Sequence, residues 1–165
     1  MKKLQSLRLV AASVLALGVA NAFAAGTADG TINLSAEVVS NCTILADDVA
    51  FGDYDPVVVN KAGTGADIDR TSEVLTTCTL GSAPTLSIDN GGNFATGSRN
   101  LASGANTLSY SIYEDAARLV AWDGMAAGTP TGTTAQSNIV YFRLAKGQNK
   151  PVGTYTDTVT VTVTF

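Results

Sequence analysis

The run from Tyr155 to Phe165, YTDTVTVTVTF, constrains the fold more tightly than any other stretch of the chain. Tyr155, Val159, Val161, Val163 and Phe165 share one face, interrupted only by Asp157, while Thr156, Thr158, Thr160, Thr162 and Thr164 share the other. Side chains alternate across a strand with period two, so the run predicts one half-buried β-strand. At about 3.4 Å per residue it would extend roughly 35 Å, long for a globular protein. A strand with such an apolar face invites association unless another strand or a cover lies beside it. Phe165 is the last residue, so the expected neighbour comes from elsewhere.

The opposite end of the chain reads as an address. Lys2, Lys3 and Arg8 form a basic start, Leu9 to Ala20 is apolar, and Ala20-Asn21-Ala22 and Ala22-Phe23-Ala24 offer small-residue cleavage sites. This pattern predicts a signal peptide over residues 1–24, cut after Ala24 or, alternatively, after Ala22. The apolar part is too short for a membrane span, although an uncleaved anchor is the other reading. The remaining 141 residues suffice for one domain with a core and carry 7 basic against 14 acidic side chains, a net charge of −7. Such a balance argues against nucleic acid and against anionic membrane surfaces as partners. Cys42 and Cys78 are the only cysteines, an even count that predicts a disulfide in an exported protein. A two-cysteine metal site is the weaker reading, because the chain has no histidine.

A second amphipathic stretch precedes Cys42. Ile32, Leu34, Ala36 and Val38 alternate with Asn33, Ser35, Glu37 and Val39, which predicts another strand. From spacing alone it would be the first strand of the domain. Further strands are expected over Thr43–Leu45, Ile68–Leu80, Pro84–Ile88, Leu108–Glu114 and Ile139–Leu144. Val49–Phe51 forms another brief apolar piece, Val57–Asn60 a short edge, and Met125–Gln136 a Gly/Thr/Ala-rich loop. The segment Glu114–Val120 has room for one helical turn and no more. Several short strands divided by Gly/Pro turns predict an all-β sandwich in a single domain.

Catalysis finds little footing. Without histidine, and with both cysteines expected to be bonded, the remaining candidates are the carboxylate pairs Asp47/Asp48, Asp53/Asp55 and Asp67/Asp69. Each pair lies in a polar stretch beside turn residues, and none has EF-hand ligand spacing. The expectation is therefore a non-enzyme with no metal, cofactor or small-molecule substrate. Trp122, between Leu119-Val120 and a Gly-rich loop, is expected to anchor packing rather than to form a sugar platform.

Beyond these readings, the succession Cys42…Phe51-Gly52-Asp53-Tyr54…Cys78-Thr79…Tyr110-Ser111-Ile112-Tyr113-Glu114-Asp115…Gly153-Thr154-Tyr155-Thr156-Asp157-Thr158 resembles the spore coat protein U domain family. That family includes the major subunits of archaic (Csu-type) chaperone-usher pili. The resemblance implies an immunoglobulin-like β-sandwich that lacks its final strand and is completed by a donor strand from another chain. It implies a donor segment over residues 25–39, with Ile32, Leu34, Ala36 and Val38 as groove-filling side chains, and a pilin domain over residues 40–165. Tyr155, Val159, Val161, Val163 and Phe165 would line the acceptor groove. The implied partners are a periplasmic chaperone, an outer-membrane usher and neighbouring subunits in a head-to-tail homopolymer. The implied role is a structural shaft subunit of a surface pilus supporting adhesion and biofilm formation. A secreted coat protein and a monomeric secreted binding module are the alternatives.

Overall fold

The structure is a computed structural model and describes residues 25–165. The expected signal segment, residues 1–24, lies outside the described residues. Residues 25–41 contain no strand, and the side chains of Ile32, Leu34, Ala36 and Val38 are exposed.

The body is all-β among the described residues. Its strands are β1 (Cys42–Ala46), β2 (Ile68–Cys78), β3 (Thr85–Ile88), β4 (Arg99–Ser103), β5 (Asn106–Tyr113), β6 (Met125–Ala126), β7 (Gln136–Leu144) and β8 (Val161–Thr164). They form a five-stranded sheet in the order β1-β2-β7-β5-β4 and a three-stranded sheet in the order β6-β3-β8, with every named pair antiparallel.

Period-two patterning decides which face each strand buries. Strand β2 buries Ser72, Val74, Thr76 and Cys78; β5 buries Leu108, Tyr110 and Ile112; β7 buries Asn138, Val140, Phe142 and Leu144. Leu86 and Ile88 on β3 close the core from the second sheet, and Trp122 joins it. Each buried aliphatic or aromatic side chain contributes about 1.5–3 kcal/mol relative to exposure. The buried amides are satisfied. Asn60 donates to Ala66 O at 2.7 Å and accepts from Asp55 N at 2.9 Å, and Asn138 donates to Val74 O at 3.0 Å and accepts from Gly128 N at 3.0 Å.

Cys42 and Cys78 are bonded, opposite one another in the β1–β2 register with their Cα atoms 4.1 Å apart. The β4–β5 hairpin turns through Gly104, whose φ of 60° is the left-handed region that such tight turns require.

Several expectations need correction. Tyr155–Phe165 is not one regular strand: only Val161–Thr164 pairs as β8, whereas Thr156 bridges to Ala102 of the other sheet. The segment changes sheets along its length, and one continuous ladder cannot serve two neighbours. Arg99–Ser103, which alternates weakly, is a strand because it pairs with β5. Met125–Ala126, expected in a loop, pairs with β3. Val57–Asn60 is a turn rather than an edge, since Asp55 Oδ1 accepts from Val57 N and Val58 N at 2.8 and 3.0 Å. Residues 32–38, expected as the first strand from spacing alone, are not in a strand.

Candidate functional site

The alternation of the C-terminal segment survives the change of sheets. Tyr155, Asp157, Val159, Val161 and Val163 are half-buried while the five threonines between and after them are exposed. Val159, Val161 and Val163 pack against the core without being covered by it. What leaves them half-covered is a cleft.

One wall of the cleft is this segment; the other is the chain that follows β1. Between them lie two connected compartments. The first, about 450 Å³, is bounded by Asp47–Val49 and by Val159 and Val161, over a floor of Val74, Ile88, Val140 and Phe142. The second, about 1060 Å³, is bounded by Phe51–Tyr54 and by Pro151–Thr156, over Leu101, Leu108 and Leu144. Val49, Phe51, Leu101 and Asp157 belong to both.

The backbone along the first wall is open. Thr156 exchanges both hydrogen bonds with Ala102 at 2.8 and 3.0 Å, Thr158 O accepts from Gly92 N at 3.1 Å, and Thr160 O accepts from Asp89 N at 3.0 Å. Ser87 and Thr85 then stand opposite Thr162 and Thr164. The backbone bonds of Thr156, Thr158 and Thr160 all fall on even-numbered residues. In an antiparallel ladder, bonded and outward-facing residues alternate, so Asp157 and Val159 turn N–H and C=O away from these partners. Among the described residues, neither Asp157 nor Val159 makes a backbone–backbone hydrogen bond. Strand β8 ends its sheet, as β1 ends the other.

The second wall leaves β2 soon after β1 ends. Asp47 N still donates to Glu73 O at 3.0 Å, and the Ser72 hydroxyl to Asp47 O at 2.7 Å. Beyond that point a side chain replaces the ladder. Arg70 on β2 donates from Nε to Ala50 O at 3.1 Å and from Nη2 to Phe51 O at 2.7 Å. Farther along, the Tyr54 hydroxyl donates to Ala145 O and accepts from Gln148 N, each at 2.9 Å.

Asp157, the interruption on the apolar face, is built into the cleft. Its Oδ2 accepts from the Tyr110 hydroxyl at 2.7 Å, and its Oδ1 accepts from Asn93 N and Nδ2, both at 3.0 Å. Burial first, and the hydrogen bond to Asp157 second, push the Tyr110 phenol well above its ordinary range. The close approach needs Gly91: a Cβ there would collide with Asp157 Oδ2, and its φ is 83°.

Three further carboxylates, Asp55, Asp67 and Asp69, fasten turns and neighbouring strands. Asp69 receives a two-pronged bond from Arg143 at 2.8 and 2.9 Å, which is the main reason its carboxyl lies below the usual range; Arg118, 3.4 Å away, adds to it. Asp67 accepts from Lys146 N at 2.9 Å. Hydrogen bonds from Val58 N and Val57 N likewise hold the Asp55 carboxyl low. Among the described residues, no group of three or more His, Cys, Asp or Glu is placed to hold a metal.

Of the residues expected at an acceptor groove, Tyr155, Val159, Val161 and Val163 lie half-buried along the segment that walls the cleft, and Phe165 beyond β8 is 51% exposed. Ile32, Leu34 and Val38 are 85%, 92% and 84% exposed, and none of them lies in a strand. Sequence reading missed Arg70 as the support of the second wall and missed the Tyr110–Asp157–Asn93 cluster. The one available signal was a carboxylate on an otherwise apolar face.

Comparison with known proteins meets this geometry. The model of the Spore Coat Protein U domain matches residues 28–162. The chain belongs to that family. Protein U of Myxococcus xanthus is similar at 38% identity over 171 residues, covering 94% of this chain and 93% of the relative. Among solved structures, this fold is similar to a chain in the crystal structure of the CsuC–CsuE chaperone–tip adhesion subunit pre-assembly complex, from archaic chaperone-usher Csu pili of Acinetobacter baumannii. That likeness has a TM-score of 0.55 at 26% identity and covers 78% of this chain, which spans 40% of the length of the matched chain. The fold of this Spore Coat Protein U domain is thus all-β, with a structural neighbour from a chaperone-usher pilus system.

Proposed function

We propose that this protein is a structural subunit of a surface pilus, assembled by the chaperone-usher route through exchange of donor strands. The observation that carries the reading is the cleft, whose wall offers the backbone of Asp157 and Val159 without a backbone partner beside the half-covered apolar side chains of Val159, Val161 and Val163. A strand laid there satisfies the backbone and fills pockets with alternate side chains.

In this reading a periplasmic chaperone lends the strand first. The segment Ile32–Val38 of a neighbouring copy then takes its place at an outer-membrane usher. The contact is head-to-tail and does not close, so repetition makes a fibre. The protein thereby passes through the periplasm to the cell surface and serves as a shaft subunit supporting adhesion and biofilm formation. Its chemistry is strand pairing, with no catalytic step. The family relationship to a spore coat protein supports a second reading, in which the same exchange builds a cell or spore coat.

The test compares two faces of the donor segment. Leu34→Asp puts a charge where an apolar pocket must receive it and is expected to abolish polymer ladders on unheated SDS gels while leaving the chaperone complex intact. Ser35→Asp, on the other face, polymerises normally. Loss of the chaperone complex with Leu34→Asp would assign the segment to its own domain. Electron microscopy of shed surface material separates thin fibres from a coat.

A further inference from the structure

The cleft is not uniformly apolar. Asp157 stands where its two compartments meet, flanked on its own wall by Tyr155 on one side and Val159 on the other. Both carboxylate oxygens are already engaged by Tyr110 and Asn93, yet the side chain remains partly open to the cleft. A strand crossing this point must therefore place a side chain over a charged group whose remaining exposed side needs water or space. A large apolar group there would strip water from the carboxylate and supply nothing in return. On either side, by contrast, the floor is aliphatic and aromatic and accepts branched side chains.

The donor segment carries the complementary pattern. Along its apolar face the order is Ile32, Leu34, Ala36, Val38: one small residue with branched residues on both sides. We infer that Ala36 of one copy seats opposite Asp157 of the next, so that this carboxylate sets the register of strand exchange. The inference rests on the strand-donation reading and adds the position at which the donated strand stops. Strand side chains have period two, so a slip of two residues keeps the same face inward and only this polar point opposes it. Such a slip brings either Leu34 or Val38 over the carboxylate. Asp157 is then a specificity-determining residue, and a segment from another protein would need a small side chain at the matching place.

Cysteine pairs read the register directly. Val159 is two residues from Asp157, so Val159→Cys in one copy is expected to cross-link under mild oxidation to Leu34→Cys of another if the strands run antiparallel, or to Val38→Cys if parallel. A second pair fixes the strand direction, Tyr155→Cys joining Val38→Cys if antiparallel or Leu34→Cys if parallel, and with it either product places Ala36 opposite Asp157. Cross-linking to Ala36→Cys or Ile32→Cys in preference would overturn the register while leaving strand donation in place. Cross-linking at none of the four positions would overturn donation itself. A second measurement uses bulk: Ala36→Leu is expected to shorten polymers at least tenfold, and Asp157→Ala in the accepting copy to restore them. Full-length polymers from Ala36→Leu alone would refute the proposal.

Discussion

The Tyr110 hydroxyl and Asp157 Oδ2, 2.7 Å apart, join the floor of the cleft to its wall. Tyr110 belongs to the five-stranded sheet, whereas Asp157 lies in the segment that leaves that sheet at Thr156 and joins the other as β8. The bond therefore stands at the crossing, where a backbone ladder is interrupted and a side chain takes over the task of holding the segment down. An aliphatic residue at position 157 would extend the apolar face but leave this phenol without its acceptor.

Removing that phenol gives the first prediction. Tyr110→Phe keeps the ring and deletes one hydrogen bond to a charged group, at a cost of about 1.5–3 kcal/mol in urea unfolding of residues 25–165 at pH 7. The pH dependence has a definite sign. The folded pKa is raised above the unfolded value of about 10, so the contribution is complete below that pH and is lost as pH rises beyond it. Stability of the parent chain should fall above pH 10, and Tyr110→Phe should flatten the fall. An unchanged slope would show that the bond does not form in solution.

Arg70 supports the wall that β2 no longer pairs with. Arg70→Met retains most of the stem but loses the bonds to Ala50 O and Phe51 O. Amide exchange of residues 49–53 should accelerate at least tenfold, while exchange in β5 and β7 stays unchanged. Equal protection in both proteins would mean that the wall is held by something else.

The two faces of β8 should respond differently to charge. Val161 packs against the core beside Ile88, and Thr162 is exposed. Val161→Asp is expected to cost more than about 2 kcal/mol, because the carboxylate enters an apolar site unpaired. Thr162→Asp should stay within about 0.5 kcal/mol of the parent. Chemical denaturation of both variants checks the difference.

The disulfide closes a loop with a sequence separation of 36 and ties the edge strand β1 to β2. Reduction, or the double change of Cys42 and Cys78 to Ser, should lower stability by roughly 2–4 kcal/mol. The oxidised chain should weigh two hydrogens less than the reduced one, and two alkylatable thiols in native material would contradict the bond.

How much of this was legible beforehand follows from what is local. Alternation told which face the C-terminal run would bury, because side-chain direction in a strand depends only on parity along the chain. The cysteine count pointed to the disulfide. Parity says nothing about which neighbour supplies the ladder. Only the tertiary structure decided that Thr156 bonds to one sheet and Thr162 to the other, and that β4 and β6 are strands at all. The same holds for the cleft: Arg70 reaches Phe51 across 19 residues and Tyr110 reaches Asp157 across 47. A period of two determines what a strand shows to each side; chain separations of that size are closed only when the whole core packs, and that packing decides which side is left open.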